Sequence, residues 1–281
     1  MTVINTNVSA TLASNAIARN ERAMSTAMER LSTGKRINSA ADDAAGLAIS
    51  ARMASQVKGL EQAARNAADG ISMVQTVEGA GKEIVNILTR MKELAVQASS
   101  GTLSTTDRTA LDTEYSQLEL EITRIQTNTK WNTKALMGAD AGAVAVQVGD
   151  GNGQTMSITF KTWALDGGGA GALGVDLTAN THNGVDTDTK AKAALTQLDS
   201  AITNASAELA TYGAYINRLE YAQDNLMNVA QNTDASRSRI EDADYASETS
   251  ELAKTQIIAQ AGTAMLAQAN QIKQTVLALL Q

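Results

Sequence analysis

Residues 195–219 read LTQLDSAITNASAELATYGAYINRL. Within them Leu195, Leu198, Ile202, Ala205, Leu209, Tyr212, Ile216 and Leu219 recur at alternating steps of three and four. Such a period of about 3.5 residues returns apolar side chains to one face of a helix and forms the seam of a coiled coil or long bundle. The same stepping governs Val57, Leu60, Ala64, Ala67, Ile71 and Val74, and again Leu111, Tyr115, Leu118, Ile122 and Ile125. A fourth stripe runs through Ile258, Ala261, Met265, Ala269, Ile272, Val276 and Leu279. Residues 187–232 contain no Pro and only Gly213. They are predicted as a single helix about 69 Å long at ~1.5 Å per residue, which implies an elongated molecule.

Composition supports a helical reading. The 281 residues include 3% aromatics, no Pro and no Cys, so a core must be assembled from Ala, Leu, Ile, Val and Met. Without Cys there is no disulfide framework, thiolate metal site or Cys nucleophile. One His cannot supply the usual zinc ligand set. A net charge of -7 disfavours nucleic acid. No apolar run reaches the length of a membrane span, so membrane insertion is not expected. Met1-Thr-Val-Ile-Asn-Thr-Asn-Val lacks the basic and apolar regions of a cleaved signal peptide.

Outward from the stripes, Asn5 to Leu31 is predicted as a helix stopped at Thr33-Gly34. Ser39 and Asp42 have capping-box spacing and are expected to open a helix reaching about Ser99, whose glycines leave it either dependent on neighbours or bent near Gly79 to Gly81. Ser104 with Asp107 repeats the pattern and opens a helix to about Asn128 that folds back as an αα-hairpin. The middle then changes period. Val144, Val146 and Val148 alternate with polar or small residues, as do Met156, Ile158 and Phe160, with Asp150-Gly-Asn-Gly between them. That is a β-hairpin signature. The Gly-rich stretch 166–174 beyond it is expected to be a surface excursion within an insertion spanning 139–186. The ends differ in charge, +3 over residues 1–40 and -3 over 241–281, which favours their packing together.

No chemistry-bearing constellation emerges. His182 sits in a turn-like Asn-Thr-His-Asn-Gly, and Asp42-Asp43 is explained by charge at a helix N-terminus. The Gly-rich stretch lacks the Lys-Ser/Thr of a phosphate loop. The helical Met residues, among them Met24, Met28, Met73, Met91, Met227 and Met265, are expected to fill a core. No enzyme activity, cofactor or metal is expected.

The stretch Glu29-Arg-Leu-Ser-Thr-Gly-Lys-Arg-Ile-Asn-Ser-Ala-Ala-Asp-Asp-Ala-Ala-Gly-Leu-Ala-Ile-Ser50 closely resembles the hallmark of bacterial flagellins. Lys92-Glu-Leu-Ala-Val-Gln97, Gln147-Val-Gly-Asp with Gln154-Thr-Met-Ser-Ile, and Ser238-Arg-Ile-Glu-Asp-Ala-Asp-Tyr-Ala resemble further parts of that family. The resemblance covers about 1–160 and 185–281. It implies a mainly α fold, an elongated helical bundle and coiled coil of the family's D0 and D1 type, with a β-hairpin and a short variable insertion. Residues 1–33 with 240–281 would form D0, 34–44 a spoke linker, 45–138 with 187–239 the D1 rod, and 139–186 the hairpin and outer insertion. The implied function is a structural subunit that polymerises into the flagellar filament; the alternative is a hook-filament junction protein.

The resemblance also implies residue roles. Leu12, Ile17, Met24, Leu31, Ile258, Met265, Ile272 and Val276 would pack the filament core. Arg90, Lys92, Glu93, Leu94, Gln97 and Glu114 would contribute to a surface read by an animal innate-immune receptor. Lys92 stands where the family has Arg and lacks its bidentate fork. Gly34, Asp43, Leu47 and Ile49 fall in a segment resembling the epitope sensed by plants. Trp131-Asn-Thr133 replaces the family's frequent Phe-Asn-Gly. Implied partners are further copies of the chain, an export chaperone, hook-associated junction proteins and the filament cap. Export would use the flagellar type III channel, to an extracellular filament.

Overall fold

The computed structural model describes residues 7–138, 140–165, 173 and 184–278, the last seven of these by backbone alone. His182, most of the Gly-rich stretch and the side chains of Ile272 and Val276 lie outside the described residues. Among the described residues five helices dominate: α1 (Val8–Thr33), α2 (Ala44–Ala98), α3 (Thr105–Asn128), α4 (Asp188–Glu241) and α5 (Tyr245–Ala278). Two antiparallel hairpins interrupt them, β1 (Lys130–Trp131) with β2 (Lys134–Ala135), and β3 (Ala143–Gln147) with β4 (Thr155–Thr159). The chain divides into two compact units. Unit 1 is 1–57 with 231–281, and unit 2 is 58–230.

Unit 2 follows from the stripes. On α4, Leu198, Ala205, Tyr212 and Leu219 are fully buried, while Leu195, Ile202, Leu209 and Ile216 flank them half-buried. Tyr115 and Ile122 do the same for α3, and Val77, Ile84, Leu88 and Met91 for α2. The β3–β4 register pairs Val146 with Met156 and Val144 with Ile158. This turns the hairpin's apolar side onto the helices, where Ile158 and Phe160 join the core. Phe160 and Tyr212 lie with ring centroids 5.9 Å apart, inclined at 43°. Trp163 is fully buried above Gly81, where an added Cβ would fall 2.8 Å from Leu209 Cδ2 and 3.0 Å from Trp163 Cη2. Gly81 therefore admits a bulky side chain against the helix. No bend separates two helices there; α2 continues through it.

Helix ends show where sequence patterns mislead. Ser104 and Asp107 form the expected capping box on α3. The similar Ser39–Asp42 pair does not open a helix. Asp42 instead accepts from the Asn38 and Ser39 amides in a turn, and those bonds hold its carboxyl below the usual range. The cap of α2 is Asp43, whose Oδ1 accepts from Gly46 N at 2.9 Å. The β1–β2 hairpin was not anticipated. Its turn, Asn132-Thr133, holds both residues at positive φ, 44° and 73°.

Candidate assembly surface

Unit 1 is built around α1 lying antiparallel to α5. Asn7 at the start of α1 donates to Ala269 O, Asn20 to Thr255 O, Arg30 to Glu248, and Leu31 O accepts from Tyr245. Between these rungs runs a seam in which small and polar residues alternate with larger apolar ones. On α1 it passes through Ala13, Ile17, Asn20, Met24, Ala27 and Leu31, all buried or half-buried. On α5 it passes through Leu252, Thr255, Ala259, Gly262, Leu266 and Ala269. At Gly262 an added Cβ would stand 2.8 Å from Ile17 Cγ1, so glycine lets the two helices approach.

This geometry displaces the apolar stripe read from the α5 sequence. Ile258, Ala261 and Met265 do not face α1. Ala259, Gly262 and Leu266, each one position farther on, take the seam and leave Ile258, Ala261 and Met265 outside it. Ile257, Ile258 and Met265 are 66%, 45% and 64% exposed, and Val8 and Leu12 on α1 are each 66% exposed. Of the residues expected to pack, Ile17, Met24 and Leu31 lie in the seam, whereas Leu12, Ile258 and Met265 form an open apolar edge. Met28 and Met227 are likewise exposed rather than core residues. Each helix thus has one apolar face satisfied within the chain and another without cover. Val8 and Ile257 were missed by sequence reading because neither sits on a stripe of regular step.

The hallmark segment is a joint. Gly34 ends α1 in the left-handed region, φ 73°, and its amide caps Arg30 O at 2.8 Å. The chain then turns alongside the end of α4. Arg36 N donates to Glu241 O at 2.7 Å and Arg36 Nη2 to Ile240 O at 2.6 Å. The Glu241 carboxylate binds Lys35 and Ser50, and those two partners hold it below the ordinary glutamate range. Ile37 is buried. Leu47 and Ile49 are half-buried at the start of α2. Gly34 and Asp43 are therefore occupied as caps.

Two family descriptions match this chain. The bacterial flagellin N-terminal helical region matches residues 4–141, and the C-terminal helical region matches 195–280. The chain belongs to the bacterial flagellin family. A flagellin from Halalkalibacterium halodurans is 44% identical over 91% of each chain. A flagellar filament 33 kDa core protein from Treponema phagedenis is 40% identical over 99% of this chain and 100% of its own. Among solved structures, a chain from Vibrio parahaemolyticus assigned to the flagellar hook-associated proteins has a TM-score of 0.59. It covers 72% of this chain and 100% of its own at 15% identity, a likeness of fold. Flagellins are structural proteins, and this one is a filament subunit. Among the described residues no helix is long and apolar enough to cross a membrane, and no group of three or more His, Cys, Asp or Glu could hold a metal.

On unit 2 of this flagellin, Arg90 donates to Glu114 at 2.8 and 2.9 Å and to Glu93 at 3.0 Å, contacts that favour its charged form. Lys92 reaches across to Asp199 on α4. Arg90, Glu93, Gln97 and Glu114 are exposed, so the structure brings these candidate receptor residues to one surface. Leu94 does not join them. It is 1% exposed because its place on α2 faces the core with Met91 and Ala95.

Proposed function

We propose that this flagellin acts mechanically, with copies joining through the open edge of the α1–α5 pair to build the inner wall of a filament. The observation that carries this reading is the row of large apolar side chains left uncovered beside a satisfied seam. Burying apolar surface yields roughly 25 cal/mol per Å², so such an edge favours association with a matching surface. A contact repeated head to tail between copies, with a rotation that does not close a ring, propagates as an open helical filament. In this reading 1–33 with 240–281 form the inner layer and 34–44 the spoke. Residues 45–138 with 187–239 form the rod, and 139–186 the hairpin and variable insertion.

The same reading gives the chain an export chaperone, junction proteins and a filament cap as partners, and an extracellular place of work. The Arg90–Glu114 surface is the candidate contact for an innate-immune receptor. Purified chain mixed with short filament seeds tests the central claim. Growth of long tubes, seen by sedimentation and negative-stain images, is expected. A chain that binds seed ends and never elongates would instead fit a junction protein.

A further inference from the structure

Met265 brings sulfur into the open apolar edge. The chain has no Cys, so oxidation at sulfur falls on methionine alone. The fold sorts its methionines sharply. Met73, Met91, Met137 and Met156 are buried in unit 2, and Met24 and Met53 are half-buried. Met28, Met227 and Met265 are exposed. Of these three, Met265 has the edge around it. Ile258 precedes it on α5 by two helical turns, which returns both side chains to the same flank. Asn7 meets Ala269 and Asn270 while Asn20 meets Thr255, so the antiparallel pairing brings Leu12 level with Met265.

The aliphatic members of the edge resist mild peroxide, and a thioether does not. The sulfur lone pair attacks one oxygen of hydrogen peroxide. The S–O bond forms as the O–O bond breaks, and the remainder of the peroxide leaves as water. The sulfoxide so formed is a polar acceptor. At an exposed position water satisfies it, so the free chain keeps its fold. In a closed joint it would be buried without a donor, which is costly.

We propose that Met265 is an oxidation site at which hydrogen peroxide converts the α1–α5 edge from apolar to polar before a copy joins others. The change is reversible. A methionine sulfoxide reductase regenerates the thioether, with a dithiol oxidised to a disulfide and the oxygen released as water. The loss of joining rests on the filament reading; the oxidation and the altered polarity are properties of one chain.

The test uses two full-length chains, both carrying Met28→Leu and Met227→Leu. One keeps Met265 and the other carries Met265→Leu, a substitution that conserves volume. Each is treated with dilute hydrogen peroxide and compared with its own untreated sample. Peptide mass mapping should find Met265 oxidised about tenfold faster than the fully buried Met91 and Met137, since susceptibility follows exposure. Treatment should make the Met265 chain elute earlier from a hydrophobic-interaction column and leave the elution of the Met265→Leu chain where it was. In seeded growth, treatment should slow the Met265 chain about tenfold, the scale of one unpaired buried polar group. Reductases for both sulfoxide epimers should restore its rate. Oxidation of Met265 no faster than Met91, equal column shifts in the two chains, or undiminished elongation after oxidation would each overturn the switch. An untreated chain that never elongates would count against the filament reading, and the mass map and the column would still decide the oxidation site.

Discussion

Thr133 sits at φ 73° in the two-residue turn between β1 and β2, beside Asn132 at 44°. Glycine adopts this region freely, Asn tolerates it, and a β-branched side chain is strained there. Thr133→Gly should stabilise unit 2 by about 1 kcal/mol, the low end of what such strain costs, seen as a higher denaturant midpoint. An unchanged or lower midpoint would mean that the turn relaxes around Thr. Glu119 carries a different penalty. One of its carboxyl oxygens is buried without a hydrogen-bond partner among the described residues. Burial first, and the Asp112 charge second, push its pKa up to about 7. The folded chain therefore holds this proton more tightly than the unfolded chain does. Stability is unpenalised below about pH 4.5, declines as pH rises, and carries the full penalty above about pH 7. Glu119→Gln should gain about 1–2 kcal/mol over wild type at pH 8, allowing for screening of a part-exposed group, and show little gain at pH 4. A gain equal at both pH values would sink this assignment.

Among the elements, α2, α3 and α4 were legible because their apolar steps coincide with the faces that become buried. Tyr115, Ile122, Leu198 and Tyr212 were all on the expected stripes and are all fully buried. Gly81 shows what spacing could not reveal. As a helix-weakening residue it left open a bend or a dependence on neighbours, and in the fold it is the notch for Trp163 and Leu209. Gly81→Val should cost unit 2 about 1–3 kcal/mol by overpacking, measured by thermal unfolding with helical content retained. A neutral effect would show that the Trp163 side chain can swing aside. The α5 stripe misled for a related reason. Helix–helix distance depends on the smallest residues, and Thr255 and Gly262 won the contact from Ile258 and Met265.

At the level of the molecule, the exposed edge is the feature that assembly would use. Met265→Glu adds charge at an exposed position, so the free chain should keep its circular dichroism spectrum. In seeded growth the same charge would be buried in the joint at high cost, and elongation should fall at least tenfold. Elongation at the wild-type rate would place the joint elsewhere. The Arg90–Glu114 cluster makes no such demand on the fold, since its ion pairs are exposed and contribute little to stability.

What the sequence by itself determined was the helical class, the presence and order of the long helices, the β3–β4 hairpin and the family. All of these depend on periodicity or on contiguous motifs, which are local properties of a chain. Helix α4 runs on to Glu241, beyond the 187–232 span read from sequence, and α2 starts at Ala44 rather than at Ser39. Tertiary structure decided which of two apolar faces α1 and α5 turn toward each other. It also decided that Leu94 is core and that Asp43 rather than Ser39 caps α2. Those outcomes follow from close approach at small residues and from hydrogen-bond partners far away in sequence, such as Asn20 with Thr255. No spacing along one strand of sequence encodes them.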